Sequence, residues 1–213
     1  LGLSCVVEAH KLARLTWDDE VIGMRNLPYQ NFGAARVAPP PGAFLQATVH
    51  GQDALTAAVL DAVSGEKGVD LFAGSGTFTL PLAEHYEMIA LEGEMPMIAA
   101  LDRGWREAKG LKKVDAIARD LFRRPFLPDE LAKLDFAVLD PPRAGAEAQV
   151  AELAKSEIAQ IAYVSCNPVT FARDANVLIK AGFTLEWAQV VDQFRWSSHV
   201  ELAAKFARSH MQG

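Results

Sequence analysis

Apolar and polar positions along the chain fall into two regimes. From Gly51 onward the pattern is regular. Leu55, Ala58, Val59, Ala62 and Val63 recur at the spacing of one buried helix face, and Gly65 is a stop. Short apolar runs then alternate with helical stripes. Val69–Phe72 reads as a strand, followed by glycines and a helical Leu80-Pro81-Leu82-Ala83. Met88–Leu91 is the next strand, with a helix over Met95–Ala108, and Val114–Ala118 is a third. Asp135–Leu139 leads to a helix through Val150–Ala154, and Ile158–Ser165 leads to one over Pro168–Lys180, stopped by Gly182. Phe183–Val191 and Val200–Phe206 are two more strands with no helix between them. The first 50 residues differ: they hold short β-like runs (Cys5–Glu8, Val21–Met24, Ala34–Val37) and the break Pro39-Pro40-Pro41-Gly42.

Strand–helix alternation predicts an α/β domain, a doubly wound parallel sheet with helices on both faces. A last pair joined by a short connection pairs antiparallel. Seven strands with an antiparallel last one is the shape of a class I methyltransferase, a Rossmann-like sheet. The expected division is a small N-terminal β segment at 1–43 and the main domain at 44–213.

Composition narrows the function classes. Half of the 213 residues are apolar and 23% are charged, which excludes a disordered or low-complexity chain. No apolar run reaches the roughly 18–20 residues of a membrane helix, and Leu1-Gly2-Leu3-Ser4-Cys5 does not read as a signal peptide. Cys5 and Cys166 are the only cysteines, too few for a disulfide framework or a thiolate metal cluster, so the expected setting is reducing and cytoplasmic. The net charge of −6 excludes a wholly basic nucleic-acid coat. One stretch runs the other way: Arg103–Arg124 carries eight basic residues against three acidic ones. It is either a solvated helix and loop or a basic face.

Candidate chemistry clusters at strand ends. Asp70-Leu71-Phe72-Ala73-Gly74-Ser75-Gly76-Thr77-Phe78 follows a strand and opens a helix, where glycines allow a tight turn and close backbone approach to a ligand. A G-x-G alone also fits an ordinary strand-to-helix turn. The nicotinamide fingerprint wants Gly or Ala three residues after the second glycine; Thr79 stands there. Glu92 ends the next strand, where a carboxylate can accept both ribose hydroxyls of an adenosine ligand. Such a loop suits a nucleoside such as S-adenosylmethionine. Leu139-Asp140-Pro141-Pro142-Arg143 makes a rigid turn holding Asp140 at a strand's carboxyl end. Cys166 sits where a strand ends and a helix begins, a setting that lowers a thiol's pKa, although a lone cysteine is more often an inert core residue. Glu201 begins the last strand; if that strand is antiparallel, it lies at the same edge. Cys5 has no such setting and reads as structural.

Taken together, these pieces resemble the RNA uracil-5 methyltransferase family, which acts on ribosomal or transfer RNA. The matching segments are Asp70–Ala83, Leu139–Gly145, Tyr163-Val164-Ser165-Cys166-Asn167-Pro168 and Asp192-Gln193-Phe194 through His199-Val200-Glu201, with Phe44-Leu45-Gln46 ahead of them. The likeness runs from about Phe44 to the end. It implies Cys166 as nucleophile and Glu201 as proton acceptor. It implies an S-adenosylmethionine site of Gln46, Phe72, Gly74, Gly76, Thr77, Glu92, Asp120 and Asp140, and no metal. Thr77 stands where the family usually has Asn, and Arg195-Trp196-Ser197-Ser198 replaces a stretch that commonly reads Pro-His-Thr. Asp140–Gly145 with Thr170–Asp174 resembles the ribosomal branch, so the expected partner is ribosomal rather than transfer RNA. The family's upstream RNA-binding domain, and the iron–sulfur cysteines of some members, are not in this sequence.

The implied reaction explains the residue types. Carbon 5 of uracil is a poor nucleophile until a thiolate adds at carbon 6; a base must later remove the carbon-5 proton. The target base must also leave its stack. Competing readings are a noncatalytic RNA- or cofactor-binding module, a nicotinamide oxidoreductase, and a transfer-RNA uracil-5 or a cytosine-5 methyltransferase. Retention of both Cys166 and Glu201 argues against the first.

Overall fold

The computed structural model describes residues 3–18, 20–194, 196–197 and 199–208. A short helix α1 (Ser4–Ala9) precedes two hairpins, β1 (Arg14–Trp17) with β2 (Glu20–Met24) and β3 (Gln30–Phe32) with β4 (Ala35–Val37). The main domain runs α2 (Val49–Ala62), β5 (Lys67–Leu71), α3 (Thr79–Leu82), β6 (Glu87–Glu92), α4 (Met95–Glu107) and β7 (Val114–Ala118). It continues with α5 (Pro128–Leu131), β8 (Phe136–Leu139), α6 (Glu147–Leu153), β9 (Gln160–Ser165), α7 (Pro168–Lys180), β10 (Thr184–Val191) and β11 (Glu201–Ala207).

The seven-stranded sheet has the order β10-β11-β9-β8-β5-β6-β7. All neighbours are parallel except β11, which runs antiparallel to both β9 and β10. This is the mixed sheet expected of a class I methyltransferase fold. Strand order reverses beside β5, with β6 on one side and β8 on the other. Ligands of open α/β sheets bind at such a switch point, outside the carboxyl ends of the strands.

Period-two alternation divides the core. Val69, Leu71, Ala137, Leu139, Ile161 and Tyr163 face one layer, built from α5, α6 and α7. Ala90, Val138, Ala162 and Val164 face the other, with Leu55 and Val59 of α2 and Leu101 of α4. Phe136–Leu139 is buried at every position, as expected for a central parallel strand covered on both faces. The hairpin β3–β4 joins this body: Phe32, Ala35 and Val37 pack with Leu80 in a third cluster. Gly104 of α4 permits that packing, because a Cβ there would lie 2.6 Å from the Val37 side chain.

Cys5–Glu8 is not β-like, contrary to the sequence expectation; it lies within α1. A helical turn brings Val7 down onto the β1–β2 hairpin, where Gly23 has no Cβ to oppose it, and Val7 is buried there. That contact overrides the β preference of Val6-Val7. Helix α2 starts before the apolar stripe at Leu55, whereas α7 starts at Pro168 as expected. Thr48 caps α2 by accepting from the Gly51 N–H at 2.9 Å, and Asn167 caps α7 by accepting from the Val169 N–H at 3.1 Å. Among the described residues no helix is long and apolar enough to cross a membrane.

Candidate active site

The parallel strands β5, β6, β8 and β9 end at one edge of the sheet, and antiparallel β11 begins there. Phe72 leaves β5 with φ +69°, a left-handed conformation uncommon for an aromatic residue, and the strain turns the chain abruptly into the glycine loop. Its ring packs against Phe122, the centroids 5.4 Å apart. Gly74, at φ +54°, has open space where a Cβ would be, and its N–H donates to Glu92 Oε2 at 3.0 Å. The other Glu92 oxygen accepts from the Glu94 N–H at 3.0 Å. The carboxylate is thus fixed in orientation, and each oxygen retains a lone pair for a ligand hydroxyl. Gly76, at φ +97°, lets the loop lie on Leu80 and Leu101. Thr77 is half-buried in the same loop. Asp120 lies past the end of β7, its Cα 3.8 Å from where a Gly93 Cβ would be; one of its oxygens caps the turn at Phe122 and Arg123.

Gln46 reaches the edge from the segment before α2. Its Oε1 accepts from Gln193 Nε2 at 2.6 Å, which leaves the Gln46 amide free to donate. Gln193 also accepts from the Thr48 N–H at 3.2 Å, so the β10–β11 connection and the start of α2 are clasped together.

Cys166 follows β9 directly, and register places Leu202 opposite Ser165, so Glu201 enters β11 beside the thiol. Glu201 is buried, and burial raises its pKa. The Cys166 thiol is half-buried, and its pKa is raised, chiefly by burial and then by the charges of Glu201 and Asp140. This corrects the expectation of a thiol acidified by the helix terminus. The Asn167 side chain already caps that terminus, and the carboxylates outweigh the lowering effect of Arg143. Burial likewise pushes Asp140 up to about 8, with help from Glu201 and Asp70. Asp70, fully buried, is pushed up to about 7 by burial; its Oδ2 accepts from Thr79 Oγ1, and its Oδ1 has no partner. Three carboxyl groups with raised proton affinity thus crowd the edge, and a cation seated beside them would favour their ionised forms.

That row sets a pH dependence of stability. Asp70 and Asp140 hold protons in the folded chain from their ordinary range near 4 up to about 7 and about 8, whereas the unfolded chain has released them. Unfolding in that window releases protons, so stability is greatest below it and falls as pH rises through it, by at most about 1.4 kcal/mol per pH unit for each carboxyl. Urea denaturation of the ligand-free domain is expected to show this decline, and Asp140→Asn to flatten it. Equal slopes in the two proteins would mean that Asp140 is ionised in the fold.

The turns after β8 and β9 are locked to each other. Asn167 Nδ2 and Thr170 Oγ1 both donate to the Arg143 carbonyl, at 2.9 and 3.3 Å. Buried Asp174 accepts from the Ala146 N–H at 2.8 Å and from the Tyr163 hydroxyl at 2.6 Å. Arg173 pairs with Asp174 and donates to the Ala144 carbonyl. Sequence reading gave no role to Phe122, Thr79 or the Asn167–Arg143 bond. Only Thr79, at fixed spacing from Asp70 within the glycine motif, carried a signal. The Arg103–Arg124 stretch does not form one basic face at this site. Arg106, Lys113, Arg119 and Arg123 are paired with Asp102, Asp115, Glu130 and Asp120. Moreover β7 lies four strand spacings from β9, roughly 19 Å.

Comparison with known proteins follows the same residues. The family model described as tRNA (uracil-5-)-methyltransferase matches residues 120–208, which include Asp140, Cys166 and Glu201. A 23S rRNA (uracil(1939)-C(5))-methyltransferase, RlmD, of Shewanella amazonensis is 36% identical over 184 residues, 84% of this chain and 41% of that protein. The chain belongs to the RNA uracil-5 methyltransferase family. An uncharacterised RNA methyltransferase of Mesorhizobium japonicum is 49% identical, with 93% of this chain and 48% of that protein covered. The crystal structure of the Pyrococcus abyssi tRNA (uracil-54, C5)-methyltransferase in complex with S-adenosyl-L-homocysteine superposes with a TM-score of 0.75 at 26% identity, covering 87% of this chain and 45% of that one. The chain thus spans about half the length of the relatives it matches.

Proposed function

We propose that this domain transfers a methyl group from S-adenosylmethionine to carbon 5 of a uridine in RNA, through a covalent bond between Cys166 and the base. The observation that carries this reading is the pairing of Cys166 with Glu201 at one strand edge, next to a loop whose residues fit a nucleoside. The fit rests on the oriented Glu92 carboxylate, the open Gly74 backbone, the Phe72–Phe122 ring pair and the unpartnered Asp70 oxygen.

When bound, S-adenosylmethionine supplies an electrophilic methyl on a cationic sulfur. Glu92 would accept the ribose hydroxyls, the Phe72–Phe122 ring pair would offer the purine an apolar wall with Asp120 nearby, and the Gln46 amide would donate to the ligand. Gly74, Gly76 and Thr77 shape the loop around it. Asp140 stands on the side of the cation. The Cys166 thiolate adds to carbon 6 of the uracil, and the electron pair moves to carbon 5, which takes the methyl group. Carbon 5 then carries both hydrogen and methyl. The Glu201 carboxylate removes that proton, the carbon 5–carbon 6 double bond re-forms, and the sulfur of Cys166 leaves. Burial of Glu201 raises its proton affinity, which suits a proton acceptor.

Ribosomal RNA is the proposed substrate, supported by the RlmD relative and by the Asp140–Gly145 and Thr170–Asp174 pieces; the proposed setting is the cytoplasm. Residues 1–43 are proposed as the join to the remainder of a longer protein. Trp17, Val21, Met24 and Leu27 are exposed on or just after the first hairpin, apolar side chains that suit cover by further chain. Mass mapping of 5-methyluridine in RNA from cells with and without the full-length gene tests the reading. Loss at one ribosomal site supports it, loss in transfer RNA alone overturns the choice of substrate, and no loss overturns the activity.

Glu92→Ala is expected to weaken S-adenosylmethionine binding by about 10- to 150-fold, the equivalent of roughly 1.5–3 kcal/mol for hydrogen bonds to a charged group. Calorimetric titration of the folded variant measures it; unchanged affinity would remove Glu92 from the site.

A further inference from the structure

Helix α7 carries a buried acid that the reaction itself does not use. Asp174 is 1% exposed, and its two oxygens meet donors from three segments. Oδ2 accepts from the Ala146 N–H, in the turn after β8, at 2.8 Å and from the Tyr163 hydroxyl of β9 at 2.6 Å. Oδ1 accepts from Arg173 Nε at 2.9 Å, and the same guanidinium donates through Nη2 to the Ala144 carbonyl at 3.1 Å. Between these two backbone contacts runs Gly145, at φ +79°. A Cβ there would lie 2.6 Å from the Arg173 guanidinium and 2.8 Å from Asp174 Oδ2, so only a glycine lets the chain pass so close to the pair.

Asn167, Thr170 and Asp174 follow one another at the spacing of a single helix face. Asn167 and Thr170 hold the Arg143 carbonyl, and Arg173 and Asp174 hold Ala144 and Ala146. One side of α7 thus grips the turn after β8 along successive backbone groups. That turn carries Asp140 and Arg143, and α7 begins just after Cys166. Stability alone is a weak reason for such an arrangement. A buried ion pair loses to desolvation much of what it gains in attraction, and apolar side chains of similar volume often serve as well. What the pair supplies, and apolar side chains do not, is directional bonding to particular backbone groups.

The charged groups that act on the Cys166 thiol are Glu201 of β11 and, from the gripped turn, Asp140 and Arg143. Asp140 raises the proton affinity of the sulfur and Arg143 lowers it, so the distance of this turn from the thiol matters. We propose that Asp174 is a positioning residue for methyl transfer: with Arg173 it fixes the turn bearing Asp140 and Arg143 against the Cys166 turn. This rests on the proposed chemistry at Cys166 and adds to it a residue that acts only through the turn.

The test follows alkylation of Cys166 by iodoacetamide against pH in the full-length protein, read from the Cys166 peptide. Arg143→Met is expected to move the wild-type profile to higher pH and to move the Asp174→Asn profile much less, because the loosened turn no longer holds the guanidinium near the sulfur. In methyl transfer, Asp174→Asn is expected to lower kcat by about 10²-fold, the scale of a misplacement of roughly 1 Å, with the KM for S-adenosylmethionine unchanged. Gly145→Ala pushes the turn away while leaving Asp174 in place, and is expected to reproduce both effects; it carries the comparison if Asp174→Asn does not fold. Tyr163→Phe removes a donor to Asp174 outside the turn, so it is expected to lower the Tm and leave the profile and kcat as in wild type. Equal shifts by Arg143→Met in the two backgrounds, or no shift in either, overturn the proposal. So does a loss of kcat in Tyr163→Phe as large as that in Asp174→Asn, which would make the effect one of stability. Alkylation needs no RNA: the expected coupling in a protein that methylates no uridine sinks the methylation reading and not the positioning, whereas methylation without the coupling sinks only the positioning.

Discussion

Cys166→Ala is expected to abolish methyl transfer to RNA, by on the order of 10⁴-fold or more, because carbon 5 of the uracil is then never activated. The loss should be one of chemistry and not of folding. Cys166 is only half-buried and makes no side-chain hydrogen bond among the described residues, so removing its sulfur leaves no orphaned partner. S-adenosylhomocysteine affinity should therefore be retained, since Glu92, Gly74 and Phe72 are untouched. The raised pKa of the thiol adds a second signature. In wild type the thiolate fraction grows with pH, so single-turnover methyl transfer should rise toward alkaline pH. Arg143 lowers the thiol pKa, and loss of its charge should move that rise further up. Normal turnover by Cys166→Ala in radiolabelled methyl transfer would contradict the assignment.

Glu201→Gln is expected to separate methyl transfer from release. Attack by Cys166 and receipt of the methyl group do not need the Glu201 carboxylate, but removal of the carbon-5 proton does. A general base contributes about 10²–10⁴-fold, so turnover should fall by that order while the methylated RNA stays joined to the protein. Gln keeps the shape of Glu at a buried position where burial already disfavours the charge, so folding should be unaffected. Its neutral amide also removes one of the charges that raises the Cys166 thiol pKa, so attack should be no slower than in wild type. A variant that turns over normally would pass the role of base to another group, His199 being next in the chain.

The parallel sheet was legible because its strands are buried on both faces and read as unbroken apolar runs, Phe136–Leu139 most clearly. The antiparallel β11 was legible from the lack of a helix between it and β10. The first hairpins were harder. β3 is three residues long, and α1 forms because Val7 meets Gly23, a contact that no local pattern encodes. At the candidate site, the strand ends could be read from motif position alone, which is how Glu92, Asp140, Cys166 and Glu201 come to one edge. The direction of the Cys166 shift could not. It depends on burial and on Glu201 and Asp140, residues distant in sequence that meet only in the fold. The clasp of Asn167 and Thr170 on Arg143 was equally hidden, since it ends on a backbone carbonyl that any residue would supply. The basic stretch was legible as a count but not as a surface, because half of its cations are spent on neighbouring carboxylates.

Peptide mapping of the protein–RNA adduct tests the central claim most directly. Full-length Glu201→Gln protein is incubated with substrate RNA and S-adenosylmethionine, denatured, and digested with protease and nuclease. The peptide containing Cys166 is expected to carry a uridine nucleotide bearing one added methyl group, and the Cys166→Ala, Glu201→Gln double variant is expected to carry none. An unmodified Cys166 peptide alongside methylated, freely released RNA, or a nucleotide attached to any other residue, would contradict the account.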